Sequence, residues 1–197
     1  MPVKIIHPDH VEIIGLGRVL LAAPPAPSSE TDLHMGTIVE EAALTSRSYA
    51  VIGKVNREFL DPNRIQSAQL ELRKSIDGFV AEAGIRYVLV IFGKEEPGVD
   101  IRAVVGSKGS ESTTELVKSM LVNDFTVLVN NENKPDIAGG FGTGHNDENA
   151  RSDSVVVENI QIRFGSEERQ FQREKVIRDI SETADVLNGR VVESQAD

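Results

Sequence analysis

Short apolar runs separated by polar segments recur along the chain and predict a series of β-strands. Residues 85–93 are almost continuously apolar, which is typical of a strand buried on both faces. Residues 154–164 alternate instead, so every second side chain is predicted to share one face. The side chains on that face are Val156, Ile160, Ile162 and Phe164. Other predicted strands are 48–55, 99–105 and 126–129, and residues 11–23 form either a strand or a short buried helix.

Apolar residues at helical spacing predict four helices, at 30–44, 61–84, 112–123 and 166–188. Asp61-Pro62 is a typical helix start, and Gly84 is suited to end that helix in a left-handed conformation. Ser112 and Glu115 form a capping-box pattern at the start of the third helix. The fourth helix is amphipathic, and its predicted apolar stripe consists of Phe171, Ile177, Ile180, Ala184 and Leu187.

This order of elements predicts an α/β fold, with a mixed β-sheet and helices packed on it. The polar turn 95–98 predicts that strand 99–105 returns antiparallel beside strand 85–93. A long glycine-rich loop spans residues 130–153, and Pro24 to Ser29 form an extended linker. We therefore expect an N-terminal segment and linker at 1–27, one α/β domain at 28–164, and a C-terminal helix and polar tail at 165–197.

The composition narrows the classes of function. A formal net charge of -10 over 197 residues disfavours broad binding to nucleic acid, which depends on Lys and Arg. The chain has no cysteine, which excludes disulfides, thiolate metal sites and cysteine nucleophiles. Neither a secretory signal nor a membrane-spanning run is evident, so a cytoplasmic location without membrane partners is expected.

The most distinctive motif is the glycine-rich run from Gly139 to His145. Glycines leave backbone N–H groups open to an anion, and the histidine adds a further donor or acceptor. The alternative interpretation is a flexible, exposed loop. The predicted phosphate contacts are Gly139, Gly140, Gly142, Thr143, Gly144 and His145, with Arg102 and Lys108 as additional cations. An earlier pair of glycines, in Gly15-Leu16-Gly17, lacks the third glycine of a dinucleotide-binding turn.

Two histidines near the N-terminus form the second candidate site. In His7-Pro8-Asp9-His10, the residues His7, Asp9 and His10 could supply two or three ligands to a metal ion. The alternative interpretation is a frayed terminal segment that happens to carry histidines. No nucleophile elbow or phosphate-binding Walker loop is present, so no catalytic residues can be assigned from motifs.

The order of helices and strands over residues 28–150, with the Gly-His turn at Gly139 to His145, resembles the DHHA1 domain. This is the substrate-binding domain of the DHH-family phosphoesterases. In that family the glycine turn binds substrate phosphate, and a separate domain carries the Asp and His ligands of the catalytic metal. The resemblance implies that this chain corresponds to the substrate-binding domain without the catalytic domain, and that it has no cofactor of its own. Mn²⁺ or Mg²⁺ would be bound only with a catalytic DHH partner chain.

Three hypotheses follow for the function. The first is a non-catalytic module that binds a nucleotide or short oligonucleotide, related to phosphoesterases. The second is a structural or assembly protein that self-associates, for example as a homodimer, through the helix at 166–188. The third is a metal-dependent phosphoesterase, such as a phosphodiesterase or exonuclease, that uses His7, Asp9, His10 and His145.

Overall fold

An eight-stranded mixed sheet with five helices packed on it forms the molecule, which confirms the predicted α/β class. The computed structural model describes residues 1–23, 34–54, 71–103, 110–129 and 157–193. The strands are β1 (Val3–Ile6), β2 (His10–Ile14), β3 (Val19–Ala23), β4 (Tyr49–Gly53), β5 (Tyr87–Gly93), β6 (Val99–Ala103), β7 (Val127–Val129) and β8 (Glu158–Phe164). The helices are α1 (Met35–Ser46), α2 (Glu71–Glu82), α3 (Ser110–Leu121), α4 (Ser166–Phe171) and α5 (Arg173–Glu193).

Four parallel strands form the centre of the sheet, in the order β4-β3-β5-β8. β2 is antiparallel to β4, and β1 pairs with β2 to form one edge. On the other side β6 is antiparallel to β8, and β7 forms the opposite edge. Parallel neighbours require crossover connections, and ligand sites in such sheets lie at the carboxyl ends of the parallel strands.

Apolar side chains on both faces of the sheet form two clusters. The larger cluster joins α1, α3 and α5 to one face and includes Leu21, Ile91 and Phe164. The smaller cluster lies on the opposite face under α2 and includes Leu20 and Val90. Because a strand turns successive side chains to opposite faces, β3 and β5 contribute to both clusters. This explains the continuously apolar sequence of β5, whose five central residues are all buried.

Strand β8 lies between β5 and β6, so the predicted hairpin between residues 85–93 and 99–105 is absent. The turn 95–98 instead carries the chain across β8. Residues 11–23 also differ from the expected single element, since they contain most of β2 and all of β3. The predicted alternation is confirmed for Ile160, Ile162 and Phe164, which are buried in the larger cluster, whereas Val156 lies outside the described residues.

The C-terminal helical segment is interrupted at Gln172, which separates α4 from α5. Phe171, predicted to lie in the apolar stripe, is 81% exposed. The rest of the stripe packs on the chain's own core, where Ile180, Ala184 and Leu187 are fully buried. A stripe used in this way is not available for self-association. Even α5, with 21 residues, lacks the length of apolar sequence needed to cross a membrane, as do the other described helices.

Asp179 on α5 is a buried acid, and the effect of its charge on stability can be tested. Its side chain is 3% exposed, and Oδ2 has no hydrogen-bond partner in the described part of the chain, although Arg178 Nε donates to Oδ1 at 3.1 Å. Burial raises the pKa of Asp179, and the nearby Asp124 and Glu182 add to this, while Arg178 opposes it. The folded state therefore disfavours the charged form at neutral pH.

We expect Asp179→Asn to raise the free energy of unfolding by about 1 kcal/mol at pH 7, because the amide removes a buried charge that is paired only at Oδ1, with Arg178. As pH falls, the advantage should shrink through the raised folded-state pKa and vanish below the unfolded value near 3.8. Urea unfolding at several pH values measures this. Glu174→Gln, at an exposed position on the same helix, is the control. An equal gain at all pH values would contradict the assigned cause.

Candidate metal centre

The β1–β2 hairpin places two histidines and a glutamate on one face of the sheet. Val11 and Ile13 of β2 point into the larger core cluster. His10 and Glu12 alternate with them and therefore point to the opposite face, towards α2. His7 lies in the connection between the strands, and its N–H donates to His10 O at 3.0 Å. The segment is thus an ordered hairpin, and the interpretation as a frayed terminus is wrong.

The three side chains converge closely. The His7 and His10 rings stack with centroids 4.3 Å apart and an interplanar angle of 7°. Glu12 reaches both rings, with Oε2 lying 3.2 Å from His7 Nε2 and Oε1 lying 3.4 Å from His10 Nε2. One ligand atom from each side chain falls within 4.8 Å of the others. We call His7, His10 and Glu12 the His-His-Glu cluster.

Asp9 and Ser75 hold the ring of His10 in place. Asp9 Oδ1 lies 2.8 Å from Nδ1, and Ser75 Oγ, on α2, lies 3.0 Å from Nε2. The Asp9 carboxylate can only accept, so Nδ1 carries a proton, and a metal ion bound at Nε2 would replace the contact with Ser75 Oγ. Carboxylates commonly orient metal-bound histidines in this way.

Lys54 fixes the connection that carries His7. Its backbone N–H donates to Asp9 O at 2.8 Å, and its ammonium donates to His7 O at 2.8 Å. Lys54 directly follows β4, the central strand that pairs with β2. One backbone and one side-chain hydrogen bond from Lys54 therefore join the connection between β1 and β2 to the end of β4.

Two opposing effects act on each acid of the site. Burial raises the pKa of Glu12, but contacts with Ser75, His7 and His10 lower it by more, so the net shift is downwards. Burial also raises the pKa of Asp9, and this is outweighed by the hydrogen bond to His10, by a backbone hydrogen bond, and by the positive charge of His10 and His7 when their rings are protonated. Both acids are therefore charged near neutral pH.

These residues suit a divalent transition metal such as zinc. Two imidazole nitrogens and a carboxylate are a ligand set that zinc accepts, and a catalytic zinc keeps a further position open. His7 Nε2 is buried and, within the described residues, has no partner with hydrogen-bond geometry despite lying near Glu12. His10 Nε2 faces Glu12 as well. Acceptors that converge in this way need a proton or a cation between them.

The cluster lies at the carboxyl end of the parallel strands, since His10 pairs with Gly53, the last residue of β4. Arg102 lies far from the cluster, because it belongs to β6, five strands from β2, where it pairs with Gln161 of β8. At about 4.8 Å per strand this is roughly 24 Å. The other predicted phosphate contacts lie outside the described residues: Lys108, Gly139, Gly140, Gly142, Thr143, Gly144 and His145.

The sequence interpretation identified His7, Asp9 and His10 but missed Glu12 and Ser75. A signal for Glu12 was present, because His10-Val11-Glu12 has the polar-apolar-polar spacing of a strand with one polar face. Ser75 has no comparable signal. It reaches His10 from α2, across a sequence separation of 65 residues, and only the tertiary fold brings them together.

The sequence matches no protein-family model and no curated protein. The fold is similar to that of solved structures. Gene product Atu2144 of Agrobacterium tumefaciens has a TM-score of 0.59 and 12% identity, covering 96% of both chains. A bacteriophage poly-gamma-glutamate hydrolase has a TM-score of 0.57 and 8% identity, and the match covers 96% of this chain and 92% of that chain. Zinc-free YndL has a TM-score of 0.52 and 11% identity, and the match covers 89% of each chain.

These findings correct the resemblance to the DHHA1 domain, which is wrong. That resemblance left out β1, β2, β3 and β8, yet these strands form half of the sheet, and it assumed a hairpin that β8 prevents. The expected nucleotide-binding, nucleic-acid-binding and phosphoesterase-related function is overturned with it. The expectation of no cofactor in this chain is contradicted by the His-His-Glu cluster, whose three side chains could hold a metal ion.

Proposed function

We propose that this protein is a metal-dependent hydrolase of amide bonds, with its metal ion held by His7, His10 and Glu12. The observation that carries the proposal is the convergence of these three ligands within 4.8 Å at the carboxyl end of β4. The similarity of the fold to a poly-gamma-glutamate hydrolase supports hydrolysis of an amide. It also favours a metal-dependent hydrolase over the self-association considered from the sequence.

A metal ion bound in such a site polarises a carbonyl group and lowers the pKa of bound water towards neutrality. The residues of this chain supply the rest of the site. Asp9 keeps the proton on His10 Nδ1, and Glu12 contributes negative charge beside both rings. Lys54 fixes the connection that carries His7. The side chain of His7 is 36% exposed, whereas His10 is 1% exposed.

Activity on a polyamide tests the proposal directly. Zinc-loaded protein is expected to release new amino groups from poly-γ-glutamate or from α-linked polyglutamate, measured with an amine-reactive dye. The variant Glu12→Gln keeps the shape of the side chain but removes the charge of a proposed metal ligand. We expect it to lose at least about 99% of the activity, since the loss even of a group that only orients a metal ligand costs about 10- to 100-fold. Equal activity of wild type and variant, or no release by either, would contradict the proposal.

A further inference from the structure

On the face of the sheet that carries the His-His-Glu cluster, exposed apolar side chains continue from the cluster along the β1–β2 hairpin. Ile5 pairs with Glu12 across the two strands, and Val3 pairs with Ile14. Paired residues and every second residue of a strand share one face, so these apolar side chains lie on the same face as Glu12. Val3 is 55% exposed, Ile5 37% and Ile14 38%. We call Val3, Ile5 and Ile14 the apolar strip.

The opposite face of the hairpin is turned towards α1 and the core. Lys4, which lies between two residues of the strip, forms an ion pair with Glu40 of α1. The residues that alternate with Glu12 along β2 are buried in the larger core cluster. The apolar strip and the His-His-Glu cluster therefore form one continuous surface, on the side of the sheet opposite α1.

The backbone of β1 adds hydrogen-bonding groups to this surface. Among the described strands β1 lies at one edge of the sheet, so its outer side has no strand partner. The hydrogen bond from His7 N–H to His10 O continues the register of the β1–β2 ladder. Because hydrogen-bonded and non-hydrogen-bonded pairs alternate along such a ladder, Lys4 and Ile6 direct their N–H and C=O groups away from β2.

We propose that the substrate binds as an extended, α-linked peptide that pairs with the outer side of β1 and places an apolar side chain on the strip. The inference rests on the proposed function, because it concerns the substrate of that site. Strand addition combines main-chain hydrogen bonds with side-chain contacts at alternate positions. Ile5 precedes His7 by two residues, so the apolar side chain belongs about two residues from the amide at the metal centre.

Both parts of this surface favour such a peptide over a γ-linked polyglutamate. The backbone groups of Lys4 and Ile6 are spaced as alternate residues of a strand, about 6.8 Å apart, and the longer backbone repeat of a γ-linked chain does not match this spacing. A carboxylate on the strip would lose hydration against apolar side chains and would lie near the negative Glu12. The net charge of -10 adds to the repulsion of a polyanion.

Titration of metal-free protein with a blocked, α-linked alanine peptide that carries one central leucine tests the proposal, with NMR of the Lys4 and Ile6 amides as the readout. Saturable shifts are expected. The same peptide with a central glutamate should bind at least about tenfold more weakly, because it buries no large apolar side chain. Ile5→Thr keeps a β-branched residue but removes apolar surface, so it should bind the leucine peptide at least about fivefold more weakly. Thermal unfolding and an unchanged amide spectrum elsewhere confirm that the variant is folded.

Ile6→Thr is the matched control, because it makes the same change at the next residue, whose exposed side chain points to the opposite face of β1. It should retain binding of the leucine peptide within about threefold, since its side chain lies away from the leucine. Equal affinities for the two peptides, undiminished binding by folded Ile5→Thr, or equal losses in the two variants would overturn the proposal.

Two further outcomes would also overturn it. One is the absence of saturable shifts in the wild-type protein. The other is a set of shifts at Lys4 and Ile6 that follows protein concentration alone, which would assign the edge of β1 to a second copy of this chain. Because these measurements need no metal ion, their failure is distinct from failure of the proposed function, which is decided by hydrolysis of polyglutamate by the zinc-loaded protein.

Discussion

Replacing His10 with alanine is expected to abolish zinc binding and the stabilisation that comes with it. The wild-type protein should bind one equivalent of Zn²⁺, and free zinc at a hundredfold excess over Kd should stabilise the fold by about 2.7 kcal/mol. His10→Ala removes a ligand that is held in place by Asp9 and Ser75, so its stability should not respond to zinc. Thermal unfolding with and without zinc, together with metal analysis, measures both effects.

Two further variants make this result specific. Asp9→Asn leaves all three ligands in place but replaces the acceptor-only carboxylate beside His10 Nδ1 with a neutral amide, which can present either a donor or an acceptor to that nitrogen. We expect it to bind zinc about 10- to 100-fold more weakly, which is the usual effect of removing such a partner. His34→Ala makes the same change as His10→Ala at an exposed histidine outside the cluster, before α1. Zinc binding that survives in His10→Ala would refute the assigned site.

Replacing Gly15 with alanine is expected to be the most damaging of the small substitutions. Gly15 directly follows β2, and a Cβ atom there would overlap the backbone of Arg47 and Ser48. Because Leu16 N–H also donates to Arg47 O at 2.6 Å, the two segments cannot separate without losing this contact. We expect a loss of about 3 kcal/mol in the free energy of unfolding, measured by urea denaturation.

Gly78→Ala provides the matched comparison. Gly78 lies within α2, and nothing comes within 4 Å of the position that its Cβ would occupy. Alanine is favoured over glycine inside a helix, so this variant should gain about 0.5–1 kcal/mol. Opposite signs for the same chemical change would show that close backbone contact, and not glycine content as such, determines the effect at Gly15. A loss at Gly78 equal to that at Gly15 would contradict this explanation.

The elements themselves were largely predictable from the sequence, because their signals are local. Gly84 has φ 65°, as expected for the left-handed residue after a helix. Continuous apolar sequence identified β5, and alternation identified β8. The capping-box pattern misplaced one helix start, since α3 begins at Ser110 and Ser112 lies within its first turn. Such small shifts at helix ends are common.

The pairing of strands was not predictable, because it depends on contacts between residues far apart in sequence. A short turn at 95–98 favours a hairpin locally, but β8 offers β5 a parallel partner over seven residue pairs, from Tyr87–Glu158 to Gly93–Phe164. Burial of Ile160 and Ile162 in the core outweighs the local preference. The same limit applies to the candidate site, where His10 could be identified but its contact with Ser75 could not.

The position of β8 has a consequence for how the chain acquires its structure during synthesis. Residues 1–103 include β5 and β6, but the strand that joins them emerges from the ribosome only after residue 164. Until then, the edge of β5 has no partner on that side, and its apolar residues are exposed to wrong pairing. We therefore expect nascent or truncated chains that end before β8 to aggregate or to depend on chaperones.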